Sequence, residues 1–251
     1  MFPLLLDPNS LRGMRRAGRS AAATLSGAGR ILRPGLRTAE IDRFVRRDTA
    51  RRGGTPAQLG YHGFPASVCT SRNQVVCHGI PSPSERLEEG DLLNVDVTTC
   101  LEGWHGDTSR TFLIGAPSPE ARHLVEVAER CLWAGIEAVR PGRRLGEVGA
   151  AIEALARAEG CSVVTDFGGH GIGRAMHLPP HVSHVGPAGR GPVLVEGMCF
   201  TIEPMINLGG PRTRILEDGW TVVTEDGALS AQFEHTVRVG AEGAEVLTRA
   251  R

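Results

Sequence analysis

Arg33-Pro34-Gly35-Leu36-Arg37-Thr38-Ala39-Glu40-Ile41 returns 107 residues further on, from 33 to 140, as Arg140-Pro141-Gly142-Arg143-Arg144-Leu145-Gly146-Glu147-Val148. Each copy follows apolar residues at helical spacing. Leu11, Met14, Ala17, Ala21 and Leu25 share one face of a helix that Asn9 or Ser10 can cap and Pro34-Gly35 stops. In the second copy Ser118 is the cap, Pro119 suits the first turn, and Leu124, Ala128, Cys131 and Val139 lead to Pro141-Gly142. A further helix is expected after each Arg-Pro-Gly. Gly60-Tyr61-His62-Gly63-Phe64 is echoed by Gly168-Gly169-His170-Gly171-Ile172, and the apolar strand bearing Asp96 by that bearing Glu203. The pattern predicts a duplicated helix-helix-sheet unit with a cleft between its halves. Strand-like stretches at 91–100, 107–114, 162–166, 194–204, 219–224 and 231–239 would form a mainly antiparallel sheet with helices packed on it, an α/β (α+β) arrangement. No Pro- or Ser-rich linker divides the halves, roughly 10–115 and 118–240. One domain over 1–251 is expected.

Bulk properties narrow the chemistry. With 41% apolar and 22% charged residues the chain is an ordinary globular one, and 28 basic residues balance 28 acidic ones. No overall field draws it to nucleic acid. Every basic residue is arginine; without lysine, Schiff-base chemistry, pyridoxal phosphate attachment and the phosphate-loop lysine are all excluded. The six cysteines form no C-x-x-C pair and sit mostly in apolar runs, as reduced thiols of a cytoplasmic protein do. The run Phe2–Leu6 is too short and lacks the basic flank of a signal peptide, and no apolar stretch reaches the ~20 residues of a membrane helix.

Five residues stand where an apolar or glycine-rich context makes them costly: Asp96, Asp107, His170, Glu203 and Glu234. Carboxylates in apolar strands are unfavourable unless paired, and several converging on one place repel unless cations neutralise them. Asp96 and Asp107 lie on consecutive strands joined around Glu102-Gly103-Trp104, so a hairpin can turn both to one face. Taken singly, each residue reads as a turn, edge or cap. Taken together, four carboxylates and one imidazole suit a pair of divalent ions of Mn, Co, Fe or Zn, whose shared water becomes a hydroxide nucleophile, and the implied reaction is hydrolysis. No G-x-S-x-G elbow, H-E-x-x-H pair or phosphate loop offers another route. Cys69 and Cys77 beside His78 could suggest a thiol nucleophile, but buried cysteines are commonly inert.

At this point the chain resembles the bacterial methionine aminopeptidase family, from about Leu11 to about Leu247. The likeness is carried by Tyr61-His62-Gly63-Phe64-Pro65, Val76-Cys77-His78-Gly79-Ile80-Pro81, Asn94-Val95-Asp96-Val97, His105-Gly106-Asp107-Thr108, Gly169-His170-Gly171-Ile172-Gly173, Phe200-Thr201-Ile202-Glu203-Pro204 and Gln232-Phe233-Glu234-His235-Thr236. The resemblance implies the duplicated pita-bread fold, metal ligation by Asp96, Asp107, His170, Glu203 and Glu234, and release of N-terminal methionine from nascent chains whose second residue is small. It places His78 and His177 beside the scissile peptide, makes Glu203 the proton shuttle, and puts Tyr61, Phe64, Cys69, Met176 and Trp220 around the methionine side chain. It also implies a cytoplasmic monomer of the short type without an N-terminal extension, working at nascent N-termini, with the ribosome as one place to meet them. Four residues depart from the family's pattern. Met176 replaces a usual Phe, Gln58 a small or sulfur residue, Leu178 an acidic or polar one, and His181 follows soon after. Two other readings stay open, a fold kept as a peptide-binding or ribosome-associated module and an aminopeptidase for a different first residue.

Overall fold

The structure, a computed structural model, describes residues 7–249; the run Phe2–Leu6 lies outside them. Helix α1 (Pro8–Gly29) is capped by Asp7, not by Asn9 or Ser10 as expected. The Asp7 carboxylate accepts from the backbone N–H groups of Asn9 and Ser10 at 3.0 and 2.8 Å, and Pro8 takes the first helical position, where a missing N–H loses no bond. Helix α2 (Thr38–Arg51) follows, with the Glu40 carboxylate accepting from the Arg37 backbone N–H. Helix α3 (Pro119–Ala138) has the expected Ser118 cap, and α4 (Gly146–Ala158) follows the second Arg-Pro-Gly. Gly35 and Gly142 take the same left-handed conformation at φ 84° and 83°.

The first half adds β1 (Thr55–Pro56), β2 (Cys69–Arg72), β3 (Val75–Cys77), β4 (Leu92–Leu101) and β5 (Trp104–Leu113). Strands β4 and β5 form a hairpin closed by Glu102 and Gly103, both at positive φ as a two-residue turn requires, so pairing begins at Leu101 and Trp104 rather than at 107. The second half adds β6 (Ser162–Val163), β7 (Gly169–Gly171), β8 (Leu178–Val182), β9 (Cys199–Ile202), β10 (Met205–Asn207), β11 (Thr213–Ile215), β12 (Val222–Thr224), β13 (Ser230–Gln232), β14 (His235–Val239) and β15 (Ala244–Val246). All the pairings are antiparallel. Strands β1, β4 and β2 lie in that order with β5 also on β4; the order β15-β14-β9-β7-β8 makes the five-stranded sheet, and β3 crosses to pair with β12 of the other half. Several strands are shorter than expected. Left-handed Gly197 and Gly219 end the runs at 194 and 219, Pro204 cannot extend the ladder, and 231–239 breaks at Phe233-Glu234.

Around each Arg-Pro-Gly the halves repeat the same backbone hydrogen bonds. Gly35 N–H donates to Leu87 O at 2.7 Å and Gly142 N–H to Leu194 O at 2.8 Å; Leu87 N–H donates to Leu36 O and Leu194 N–H to Arg143 O. The isolated bridges Arg37–Arg86 and Arg144–Val193 keep the same offset. Each half also has its own core: Leu25, Ile41, Val45, Leu93, Val95 and Val97 in the first, and Leu124, Ile152, Phe200, Ile202 and Val237 in the second. Because side chains alternate along a strand, turning Leu93, Val95 and Val97 to that first core turns Asn94, Asp96 and Thr98 to the second half. The site lies on that inner face.

Candidate metal centre

Thr98 and Asp107 face each other in register across the β4–β5 hairpin, and Asp96 lies two residues from Thr98 on the same face. The Thr98 hydroxyl donates to Asp107 at 2.7 Å, which fixes one carboxylate oxygen and leaves the other facing the cleft. Gln58, placed beyond β1, clasps the same strand: its amide donates to Asp96 O at 3.0 Å and its carbonyl accepts from Thr98 N–H at 3.3 Å. His170 sits where the pairing of β7 with β8 slips out of register. Its backbone N–H donates to the Thr201 hydroxyl at 2.9 Å, and Nδ1 lies 3.1 Å from Gly171 O. With Nδ1 donating there, Nε2 presents its lone pair to Glu203 at 3.5 Å and Asp107 at 3.8 Å. The flanking glycines have a steric cause, for a Cβ on Gly169 or Gly171 would come within 2.2 Å of the carbonyl of Thr201 or Pro179.

Ligand atoms of Asp107, His170 and Glu234 fall within 4.8 Å of one another. Glu203 approaches this trio through His170, and Asp96 shares the pocket and is raised by burial and by the charge of Asp107 beside it. Burial is the first cause that raises all four carboxyl groups above their ordinary range; mutual repulsion adds to it at Asp96, Glu203 and Glu234, and Glu203 rises to about 8. Asp96 Oδ1 and Glu234 Oε1 are buried with no hydrogen-bond partner among the described residues. Buried oxygen atoms without donors, clustered with like charges and one imidazole lone pair, fit divalent cations. The donor set therefore suits the ions that the sequence implies.

The substrate side is built with equal economy. The residues given a metal, catalytic or substrate role from the sequence line one pocket, Asp96, Asp107, His170, Glu203 and Glu234 together with Tyr61, Phe64, Cys69, His78, Met176, His177 and Trp220, whereas Leu178 and His181 line a neighbouring recess. His78 follows β3 at φ 56°, a backbone that turns its ring edge-on to Phe167 and Trp220. The His177 ring meets that of His170 at 4.1 Å between centroids, with Nδ1 2.7 Å from the Tyr61 hydroxyl. Trp220 is presented by a turn in which Asp218 accepts from the N–H groups of Trp220 and Thr221, and it packs edge-on against Phe64 at 5.2 Å. Burial holds His78 and His177 neutral, His177 at about 4, and keeps the Cys69 and Cys77 thiols protonated. Thiol chemistry has no thiolate to use.

Four supporting residues escaped the sequence reading. The Thr201 hydroxyl donates to Glu203 at 2.7 Å, Gln232 donates to its other oxygen at 3.3 Å, and His184 Nε2 accepts from its backbone N–H at 3.1 Å. Thr98 is the fourth. A signal was present, since Thr98, Thr201 and Gln232 each stand two residues from Asp96, Glu203 and Glu234, so strand alternation sets each near its acid's face.

Residues 12–241 match the description Metallopeptidase family M24. The chain is 51% identical to methionine aminopeptidase A of Synechocystis over 97% of its own length and 96% of that protein's. It is 45% identical to methionine aminopeptidase of Escherichia coli, covering 96% and 92%. The crystal structure of methionine aminopeptidase from Rickettsia prowazekii superposes with a TM-score of 0.97 at 43% identity, over 99% of this chain and 100% of that one.

Proposed function

From the premise that the chain belongs to metallopeptidase family M24, and within it to the methionine aminopeptidases, we infer which of its residues do the chemistry. The protein is a metalloaminopeptidase of pita-bread fold that removes N-terminal methionine from nascent proteins and peptides with a small second residue, and it uses divalent ions. The convergence of the five metal-ligand candidates and the substrate-side residues on one pocket is the observation that supports the assignment of roles.

In this reading Asp96, Asp107, His170, Glu203 and Glu234 hold two divalent ions, of Co, Mn, Fe or Zn. When bound, the ions supply Lewis acidity and bring a water's ionisation into the neutral range, making hydroxide available as the nucleophile. Glu203 is the group that takes and returns the proton, its carboxylate aimed by Thr201 and Gln232. His177, steered by Tyr61, and His78, turned by its left-handed backbone, are uncharged imidazoles that hydrogen-bond the peptide unit and its developing oxyanion. Phe64, Cys69, Met176 and Trp220 receive the thioether, apolar walls against an unbranched side chain.

The same inference extends to one domain of duplicated halves, roughly 10–115 and 118–240, supported by the hydrogen bonds repeated at an offset of 107. Action by a monomer in the cytoplasm on nascent N-termini belongs to it too, supported by the methionine aminopeptidases that the chain resembles.

The test is methionine release from Met-Ala-Ser in Mn or Co. Glu203→Gln is expected to lower kcat by about 10²–10⁴-fold, the range of general acid–base catalysis. Full activity in that variant would remove Glu203 from its role, and calorimetry showing no divalent-ion binding to the native chain would favour the peptide-binding module instead.

A further inference from the structure

A second recess opens beside β5, which carries Asp107, and the Phe233-Glu234 break between β13 and β14, with a cavity volume of about 450 Å³. Its wall is made by Thr108, Ser109 and Arg110 of β5 and by Phe233 and His235, which flank Glu234. Three guanidinium groups, of Arg30, Arg110 and Arg249, line it against a single acid, Glu129. None of the three has an ion pair with a carboxylate among the described residues. Two of them lie on aromatic faces instead, Arg249 over Trp133 at 5.2 Å and Arg110 over Phe112 at 5.5 Å. The Trp133 ring is backed in turn by His235, edge-on at 5.6 Å.

Cations gathered without counter-ions raise the local concentration of anions. A guanidinium resting on a ring gives up a weak contact when a phosphate offers it paired, charge-assisted hydrogen bonds, and the ring face it leaves is then open to another flat group. The volume falls in the range of small-molecule sites. We propose that this recess binds a mononucleotide, its phosphate taken by Arg30, Arg110 and Arg249 and its base laid against Trp133. Nothing in the catalytic pocket takes part, because the two cavities share no lining residue.

The experiment is isothermal titration of the full-length, metal-loaded enzyme with adenosine monophosphate, adenosine and inorganic phosphate at low ionic strength. The nucleotide is expected to bind with Kd below about 1 mM, and adenosine and phosphate each at least about tenfold more weakly, since each lacks one half of the recognition. The exposed-residue double variant Arg110→Gln/Arg249→Gln should weaken the nucleotide by about tenfold or more while methionine release from Met-Ala-Ser stays unchanged. Saturating free methionine should leave the nucleotide Kd within about twofold, as expected of independent sites. Absence of binding up to about 10 mM, adenosine binding as tightly as the nucleotide, displacement by methionine, or no effect of the double variant would each overturn the proposal. An acidic tripeptide binding more tightly than the nucleotide would overturn it as well, by making the recess a peptide site.

Discussion

Glu203 shows how much of the site's behaviour is set by single side chains. Burial lifts its carboxyl group from 4.5 to about 8, and burial together with neighbouring acids lifts Asp96 and Glu234 well above their ordinary range. In the folded, metal-free protein these groups hold protons that the unfolded chain would release, so their contribution to stability is lost as pH rises from 4.5 through about 8. The buried histidines act in the opposite sense. His170, His177 and His235 fall from 6.5 to about 4 and His184 to about 3, so their contribution is lost as pH falls below 6.5. Above 6.5 only the acids act. The melting temperature of chelated protein should therefore decline between about pH 6.5 and pH 8.5, and saturating divalent ion should abolish the decline. A chelated melting temperature that rises over this interval would contradict the account. Thr201→Val makes a narrower prediction, because it removes both the bond to Glu203 and the acceptor for the His170 N–H. Metal affinity, measured by calorimetric titration, should fall about 10- to 100-fold, the usual cost of losing an outer-shell partner of a metal ligand. Unaltered affinity would mean that His170 and Glu203 are held by packing alone.

At the level of elements, what could be read from the sequence was what repeats or alternates. Helices α1 and α3 were legible from periodic apolar residues, and Asp96 and Asp107 from their misfit in apolar or glycine-rich surroundings. The short strands β7, β8, β10, β11 and β15 were not, since three to five residues carry too little pattern to separate a strand from a loop. Asp7, Asn9 and Ser10 are equally good capping types in the sequence, and only the Asp7 carboxylate's contacts with the N–H groups of Asn9 and Ser10 single it out. In the sequence Gly106 is marked only by its place beside Asp107. In the fold it is where α1 rests on β5, with Gly18 N 2.5 Å from the position a Cβ at 106 would take. Two backbones meet there with no side chain between them. Gly106→Ala should push the helix from the hairpin and cost about 1–3 kcal/mol, as overpacking does, visible as a lowered denaturation midpoint. An unshifted midpoint would show that α1 can slide on β5 without loss.

The whole molecule is held together by a seam that neither half completes alone. Each half has its own apolar core, yet the two halves also meet through hydroxyl, amide and backbone groups supplied from both sides. Asn94 and Thr111 both donate to Gln232 O at 2.8 Å, Thr108 donates to Glu234 O, Thr236 donates to Asp107 O, and Glu234 N–H donates to Ser109 O. Parting the halves would leave these buried groups facing one another's absence and would strand two acids on one side and the other three ligands on the opposite side. Buried polar groups without partners are penalised strongly, so the halves should not unfold independently, and the native chain should melt in one transition at every metal concentration. The seam also predicts what division of the chain does. Fragments cut between β5 and α3, in the segment around Ala116, should each fail to bind divalent ions, whereas mixing them should restore metal binding and methionine release together, because the ligands and the seam are rebuilt by the same association. Metal binding by the second fragment alone, through His170, Glu203 and Glu234, would show that the centre needs only one half, and that the hairpin bearing Asp96 and Asp107 contributes to catalysis without being required for assembly.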